Sequence, residues 1–201
     1  MTRILLVRHA MCDPVGHRLA GRTPGISLNG VGRAQAGSLG QRFTGADIAA
    51  VYTSPLERAR ETAAAVATVV NRTAIDLAGL NEIDFGAWTG CSFAELQPLP
   101  EWQRFNLQRS TTRIPGGELM LEAQTRAVAA IENLRARHPA EAVVAVSHSD
   151  VIKSVLAHYC GIPLDNLIRI EIAPASVSIL TLEPWGDRIL RMNDTGDMLQ
   201  G

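Results

Sequence analysis

Ile4 to Val7 form a continuous apolar run without polar alternation, the pattern of a strand buried on both faces of a parallel sheet, and Val143 to Val146 repeat it. Each run ends in a polar residue followed by histidine: Arg8-His9 after the first, Ser147-His148 after the second. Between them the apolar positions recur at helical spacing over Leu28 to Phe43, Pro55 to Val70 and Leu119 to His138, with short strands predicted at Ala50 to Thr53 and Ala74 to Asp76. After His148, the residues Val151, Ile152, Val155, Leu156 and Tyr159 predict a further helix, capped by Ser149 or Asp150 and ended by Gly161. Ser176 to Leu182 and Arg188 to Met192 read as a final hairpin or edge strands around Trp185-Gly186-Asp187. Only Gln97 to Pro115 lacks a clear period, and it reads as a short insertion carried over the sheet.

Strands alternating with helices predict an α/β fold: a three-layer, doubly wound, mostly parallel sheet flanked by helices, here as one domain over residues 1–201. Ligands of such sheets collect beyond the carboxyl ends of the strands. His9 and His148 both stand there, and two histidines on matching strand ends, one beside an arginine, point to a site.

Composition narrows the chemistry. A formal net charge of −1 gives no reason to expect nucleic acid or an anionic membrane as partner, so any anion recognition must be local. Lys153 is the sole lysine, which leaves lysine-dependent mechanisms almost without a candidate. Cys12, Cys91 and Cys160 are odd in number and form no C-x-x-C pair, arguing against a disulfide framework or structural zinc. The five histidines make no H-x3-H or H-E-x-x-H pattern, so neither metal nor other cofactor is expected. With no apolar run near the ~20 residues of a membrane span, the chain reads as a soluble cytoplasmic protein.

Two signatures of phosphate chemistry overlap near the N-terminus. Arg8-His9 would serve as a nucleophilic histidine beside a cationic clamp, whereas Cys12 and Arg18 have the C-x5-R spacing of a thiolate phosphate loop. The thiolate reading is disfavoured because Asp13 would bring a negative charge into the cradle and Pro14 would remove a backbone donor. Downstream, TSPLERARETA (53–63) predicts a helix start with Ser54 as cap, Pro55 in the first turn and a Ser54–Glu57 capping box. Arg58 then sits where a helix N-terminus favours an anion, while Arg60 is expected to pair with Glu57 or Glu61 on the surface. Glu82 and Asp84, in LNEIDFGAWTG (80–90), both qualify as a carboxyl group that protonates a leaving oxygen and later activates water.

LVRHA (6–10), GRTPGISLNGVGRAQA (21–36), TSPLERARETA, LNEIDFGAWTG, PGGE (115–118) and VSHSDVIK (146–153) together resemble the motifs of the histidine phosphatase superfamily, the phosphoglycerate mutase-like family, in that family's order. The resemblance implies that His9 becomes phosphorylated, with Arg8, Arg58 and His148 around the phosphoryl oxygens; a protonated His148 is expected to offset charge there while His9, neutral, attacks. It also selects Glu82 over Asp84 as proton donor and then base. Ala10, Met11-Cys12-Asp13 and Val15 depart from the commoner family pattern, leaving Arg18, Gly21 and Arg22 as second-rank substrate contacts. His17 is expected near the mouth of the site, and His138 and His158 as structural or solvated residues.

The function expected is hydrolysis of a small phosphorylated metabolite through a covalent phosphohistidine. Mutase-type phosphoryl transfer and non-catalytic phospholigand binding are the alternatives, and a homodimer is compatible with any of them. Hydrolysis is favoured over transfer because the 97–115 insertion is short for a cover that excludes water. Trp102, Arg104, Phe105, Arg109 and Arg113 of that insertion either close over the substrate or form an amphipathic surface helix.

Overall fold

The computed structural model describes residues 1–196; residues 197–201 of the expected 1–201 domain lie outside the described residues. Six strands, β1 (Thr2–Arg8), β2 (Ala50–Thr53), β3 (Ala74–Asp76), β4 (Ala142–Ser147), β5 (Val177–Leu182) and β6 (Arg188–Asp194), form one sheet in the order β3-β2-β4-β1-β5-β6. The first four are mutually parallel, and β5 and β6 add an antiparallel pair beyond β1. This is the mostly parallel sheet expected, with the hairpin at its edge.

The uninterrupted apolar runs have a direct explanation in this order. Ile4 and Leu6 of β1, with Val143 and Ala145 of β4, enter a core on one face; Val7, Val144 and Val146 enter a second core on the other. On the first face lie α5 (Met120–Arg137) and α6 (Ser149–Cys160), and on the second α1 (Gly30–Arg42) and α2 (Glu57–Val69). A strand sandwiched in this way has no solvent face on which to alternate.

Local capping differs from expectation in two places. The first helical residue of α2 is Glu57, its N-cap is Leu56 and no side chain caps it, so the Ser54–Glu57 capping box is not formed. Glu57 instead accepts from the backbone N–H of Gly25 at 3.0 Å, and Ser54 Oγ turns toward His148. At α6 the N-cap position belongs to His148 itself rather than Ser149 or Asp150, and Gly161 ends the helix in the left-handed conformation as expected. Arg60 pairs with Asp76, not with Glu57 or Glu61, because its side chain reaches the edge strand β3.

The 97–115 segment is anchored in the core. Between α3 (Phe93–Leu96) and α5 it forms α4 (Pro100–Leu107), whose Phe105 is fully buried and whose Trp102 packs edge-on against Trp88 at 5.3 Å. Arg104 is exposed, and Arg113 pairs with Glu122 at the surface. Among the described residues, no helix is long and apolar enough to cross a membrane.

The chain leaving β1 is tied down by one buried hydroxyl. Thr62 Oγ1 of α2 accepts from Ala10 N–H at 3.0 Å and donates to the Arg58 carbonyl at 2.7 Å. Thr62→Val keeps the shape but orphans a buried N–H next to His9. It should lower the unfolding free energy by ~1–3 kcal/mol, measured by chemical denaturation.

Candidate active site

The β1–β4 register sets Arg8 opposite Ser147, and His9 N–H donates to the Ser147 carbonyl at 2.9 Å. The next residue of each strand is therefore a histidine at the same sheet edge. The two rings lie 5.1 Å apart, both buried, and His9 borders a cavity of about 320 Å³ together with Arg8, Cys12, Arg18, Gly21, Arg58 and Glu82. His148 sits behind this lining, in contact with Arg58 and Glu82.

Hydrogen bonding assigns both tautomers. His9 Nδ1 lies 2.8 Å from the Ala10 carbonyl, which can only accept, so Nδ1 carries the proton and Nε2 keeps its lone pair. Burial, then the positive charges of Arg58 and Arg8, depress the His9 pKa to about 3. Around His148, Ser54 Oγ lies 2.8 Å from Nε2 and donates onward to Asn81 Oδ1, and Arg58 Nη2 lies 3.3 Å from Nδ1. Nε2 is thus the donor and Nδ1 the acceptor of a neutral ring. Burial, His9 and Arg58 hold its pKa well below the usual imidazole range. Against the expectation of a protonated His148, the ring faces a guanidinium and another imidazole, with the carboxyl oxygen Glu82 Oε2 at 3.6 Å.

Arg58 is 1% exposed and is the largest fully buried side chain. Its Nη2 donates to the Gly21 carbonyl at 2.8 Å, while Nε and Nη1 have no hydrogen-bond partner among the described residues. Arg8 has the same character: Nη1 donates to the Ile172 carbonyl at 2.6 Å, and Nε is buried without a partner among the described residues. Buried guanidinium donors left without acceptors are costly, and an anion beside His9 would offset that cost through charge-assisted hydrogen bonds.

Glu82 completes the group. Its Oε1 accepts from Ile83 N–H at 2.9 Å, and Oε2 lies 4.0 Å from Arg58 Nη2. Burial raises its pKa to about 7 despite Arg58. Asp84 points elsewhere: its carboxylate accepts from Gly86 N–H and its backbone joins Glu118. The Glu82 loop is braced from beneath, since Arg126 donates to the carbonyls of Gly79, Asn81 and Glu82, and Glu118 pairs with both Arg126 and Arg22. Gly117 permits this bracing, because a Cβ there would stand 2.3 Å from the Asp84 carbonyl oxygen.

The second-rank residues separate. Arg18 and Gly21 line the cavity, Gly21 with its carbonyl on Arg58. Arg22 does not line it; its guanidinium holds the Glu82 carbonyl at 2.8 Å and Glu118 at 2.9 Å, so it is placed as a brace and not as a substrate contact. Cys12 lines the cavity, but burial raises its pKa and so disfavours the thiolate. His17 lies on the loop beside the lining residues Gly16 and Arg18, His158 is exposed, and His138 bonds to Tyr52 and Glu141 away from the cavity. Ser54 and Asn81 were missed as site residues; their signal was masked by the capping motif in which Ser54 stands. Among the described residues, no group of three or more His, Cys, Asp or Glu side chains is placed to hold a metal ion.

Residues 4–195 match the model of the histidine phosphatase superfamily (branch 1). The chain belongs to this superfamily. It is 30% identical over 199 residues to phosphoserine phosphatase 1 of Hydrogenobacter thermophilus, covering 97% of this chain and 93% of that one. It is 34% identical over 200 residues to the bifunctional protein Rv2228c of Mycobacterium tuberculosis, where the match covers 97% of this chain but 54% of the relative, so the chain spans about half that protein's length. Among solved structures, YhfR of Bacillus stearothermophilus superimposes with a TM-score of 0.90 at 28% identity, over 96% of this chain and 98% of that chain.

The raised Glu82 pKa has a stability consequence. Between pH 4.5, the ordinary glutamate value, and about 7 the folded chain keeps a proton that the unfolded chain has lost, so Glu82 lowers stability as pH rises through this window. Glu82→Gln removes that cost. Relative to wild type, the variant should gain ~1–3 kcal/mol between pH 4.5 and pH 8, read by urea denaturation at the two pH values; a constant difference would contradict the assigned environment.

Proposed function

We propose that the protein is a phosphomonoester hydrolase that works through a phosphohistidine on His9. The observation that carries this reading is the fixed His9 tautomer: Nδ1 is committed to the Ala10 carbonyl, and Nε2 is left as a neutral nucleophile beside Arg8 and Arg58. In the first step the Nε2 lone pair attacks phosphorus, the bond to the leaving oxygen breaks, and that oxygen takes the Glu82 proton. Arg8 and Arg58 stabilise charge on the equatorial oxygens by hydrogen bonding, while His148, behind the cavity lining, steadies Arg58. In the second step the Glu82 carboxylate takes a proton from water, which attacks the phosphorus and returns His9 and inorganic phosphate. One carboxyl group serves both steps because its pKa of about 7 lies near the operating pH.

The substrate is a small phosphorylated metabolite. A cavity of about 320 Å³ lies at the small end of ligand sites. Phe85, Phe93, Trp102, Asn106 and Arg109 border it beyond the phosphoryl position, so the 97–115 insertion contributes to the leaving-group side. The relative named phosphoserine phosphatase 1 makes phosphoserine the first compound to assay. Three free cysteines fit a reducing, cytoplasmic location.

Two measurements test the mechanism. Rapid quenching with labelled substrate should trap a phosphoramidate on His9, labile in acid and stable in base, and His9→Ala should abolish turnover while Cys12→Ser retains most of it; label on Cys12 would reverse the assignment. The required protonation states, neutral His9 above about pH 3 and protonated Glu82 below about pH 7, predict that kcat/KM for a substrate with a poor leaving group falls as pH rises through 7. Glu82→Gln should slow such substrates at least ~100-fold while affecting p-nitrophenyl phosphate far less. Equal losses would remove Glu82 from the acid role.

A further inference from the structure

One ion pair at the cavity is not used by the mechanism above. Arg109, just after α4 within the 97–115 insertion, is 8% exposed; its Nη1 donates to Asp150 Oδ2 at 2.7 Å and its Nη2 to Asn106 Oδ1 at 3.0 Å. The guanidinium lies 4.9 Å above the Phe105 ring, and its Nε is buried without a partner among the described residues. Asp150 occupies the first turn of α6, two residues after His148, with Lys153 Nζ 3.9 Å away. Both Arg109 and Asp150 line the cavity that holds Arg8, His9, Arg58 and Glu82. The pair therefore joins the insertion to the helix that follows His148, and it does so inside the reaction cavity.

We propose that Arg109 and Asp150 are positioning residues for the hydrolysis: their ion pair clasps the insertion to α6 and sets the electrostatic field in which the phosphoryl group and Glu82 meet. The inference rests on the phosphatase reading for what the field acts upon. Paired, the two side chains contribute no net charge. If the clasp loses Arg109, an anionic carboxylate is left at the start of α6, facing the place where a phosphoryl dianion binds. If it loses Asp150, a guanidinium is left facing the same place, with Lys153 deprived of the same partner.

Glu82 feels the same balance. The groups that face it are Arg58 of α2, Arg8 of β1, His148 and Asp150 at the start of α6, and the Ile83 N–H of its own loop, while Arg22 and Arg126 hold its carbonyl. Among these, Asp150 acts to raise the Glu82 pKa, and Arg58 and Arg8 act to lower it. Asp150 is itself kept anionic despite burial by Arg109 and Lys153.

The prediction is one of sign. Arg109→Met keeps an aliphatic stem over Phe105 and leaves Asp150 without its partner; Asp150→Asn keeps the shape and frees Arg109; the double variant restores the original net charge. Inorganic phosphate affinity, measured by calorimetry at pH 6, should fall ~10-fold in Arg109→Met, rise several-fold in Asp150→Asn and return to near wild type in the double variant, about 1.4 kcal/mol per tenfold step. The basic limb of kcat/KM for phenyl phosphate should move to higher pH in Arg109→Met, to lower pH in Asp150→Asn, and back in the double variant. A clasp that only holds the insertion in place predicts parallel losses in all three proteins; parallel losses, or no change, would overturn the proposal. The phosphate titration does not require turnover. A wild-type protein that hydrolyses no phosphomonoester would therefore count against the phosphatase reading alone, and the order of phosphate affinities would still decide the role of the pair.

Discussion

The parallel pairing of β1 with β4 is the constraint on which the site depends. Arg8 opposite Ser147 brings two histidines distant in sequence, His9 and His148, to one sheet edge, with ring centres 5.1 Å apart. Two buried imidazoles so close to two guanidinium groups cannot readily carry charge, and the surrounding hydrogen bonds are arranged for neutral rings: a carbonyl for His9 Nδ1, a serine hydroxyl for His148 Nε2 and a guanidinium N–H for His148 Nδ1. Positive potential in the cavity is left to Arg8 and Arg58. A one-residue slip of this register would separate the rings and turn the strand's apolar faces inside out.

The carboxyl group is handled by a different device. Glu82 lies in a loop with no sheet register to fix it, so its position comes from side chains that bind its backbone. Arg22 and Arg126 take the Glu82 carbonyl, Asn81 Oδ1 takes its N–H, and Glu118 ties both arginines together. Strand geometry thus places His9, and a bed of ion pairs places Glu82. The side chain above that bed is kept dry enough for its pKa to approach neutrality.

Much of this was legible in the sequence. The unbroken apolar runs announced strands buried on both faces, and the polar-histidine endings located the edge at which chemistry gathers. Arg58 was visible through its position near a helix start, although the helix begins at Glu57 and not at Pro55. What stayed hidden was the partner of each group. Ser54 and Glu57 match a capping box in spacing, yet long-range demand from His148 and Gly25 outweighed the local cap. Arg22 stands among motif residues that suggested a substrate contact, but its partners Glu82 and Glu118 lie 60 and more positions away. The charge of His148 could not be read from its identity, because it depends on which atoms face the ring.

Arg8 belongs to the first strand, yet its guanidinium is held by the carbonyl of Ile172 and its backbone N–H by Ser176. The arginine that borders the cavity is therefore held by the segment that leads into the antiparallel edge of the sheet. Contacts so distant in sequence form late, and a partly folded chain holding only β1 and α1 has half a clamp. Binding competence and completion of the sheet arrive together. A phosphorylated ligand would then stabilise only the finished fold, by mass action.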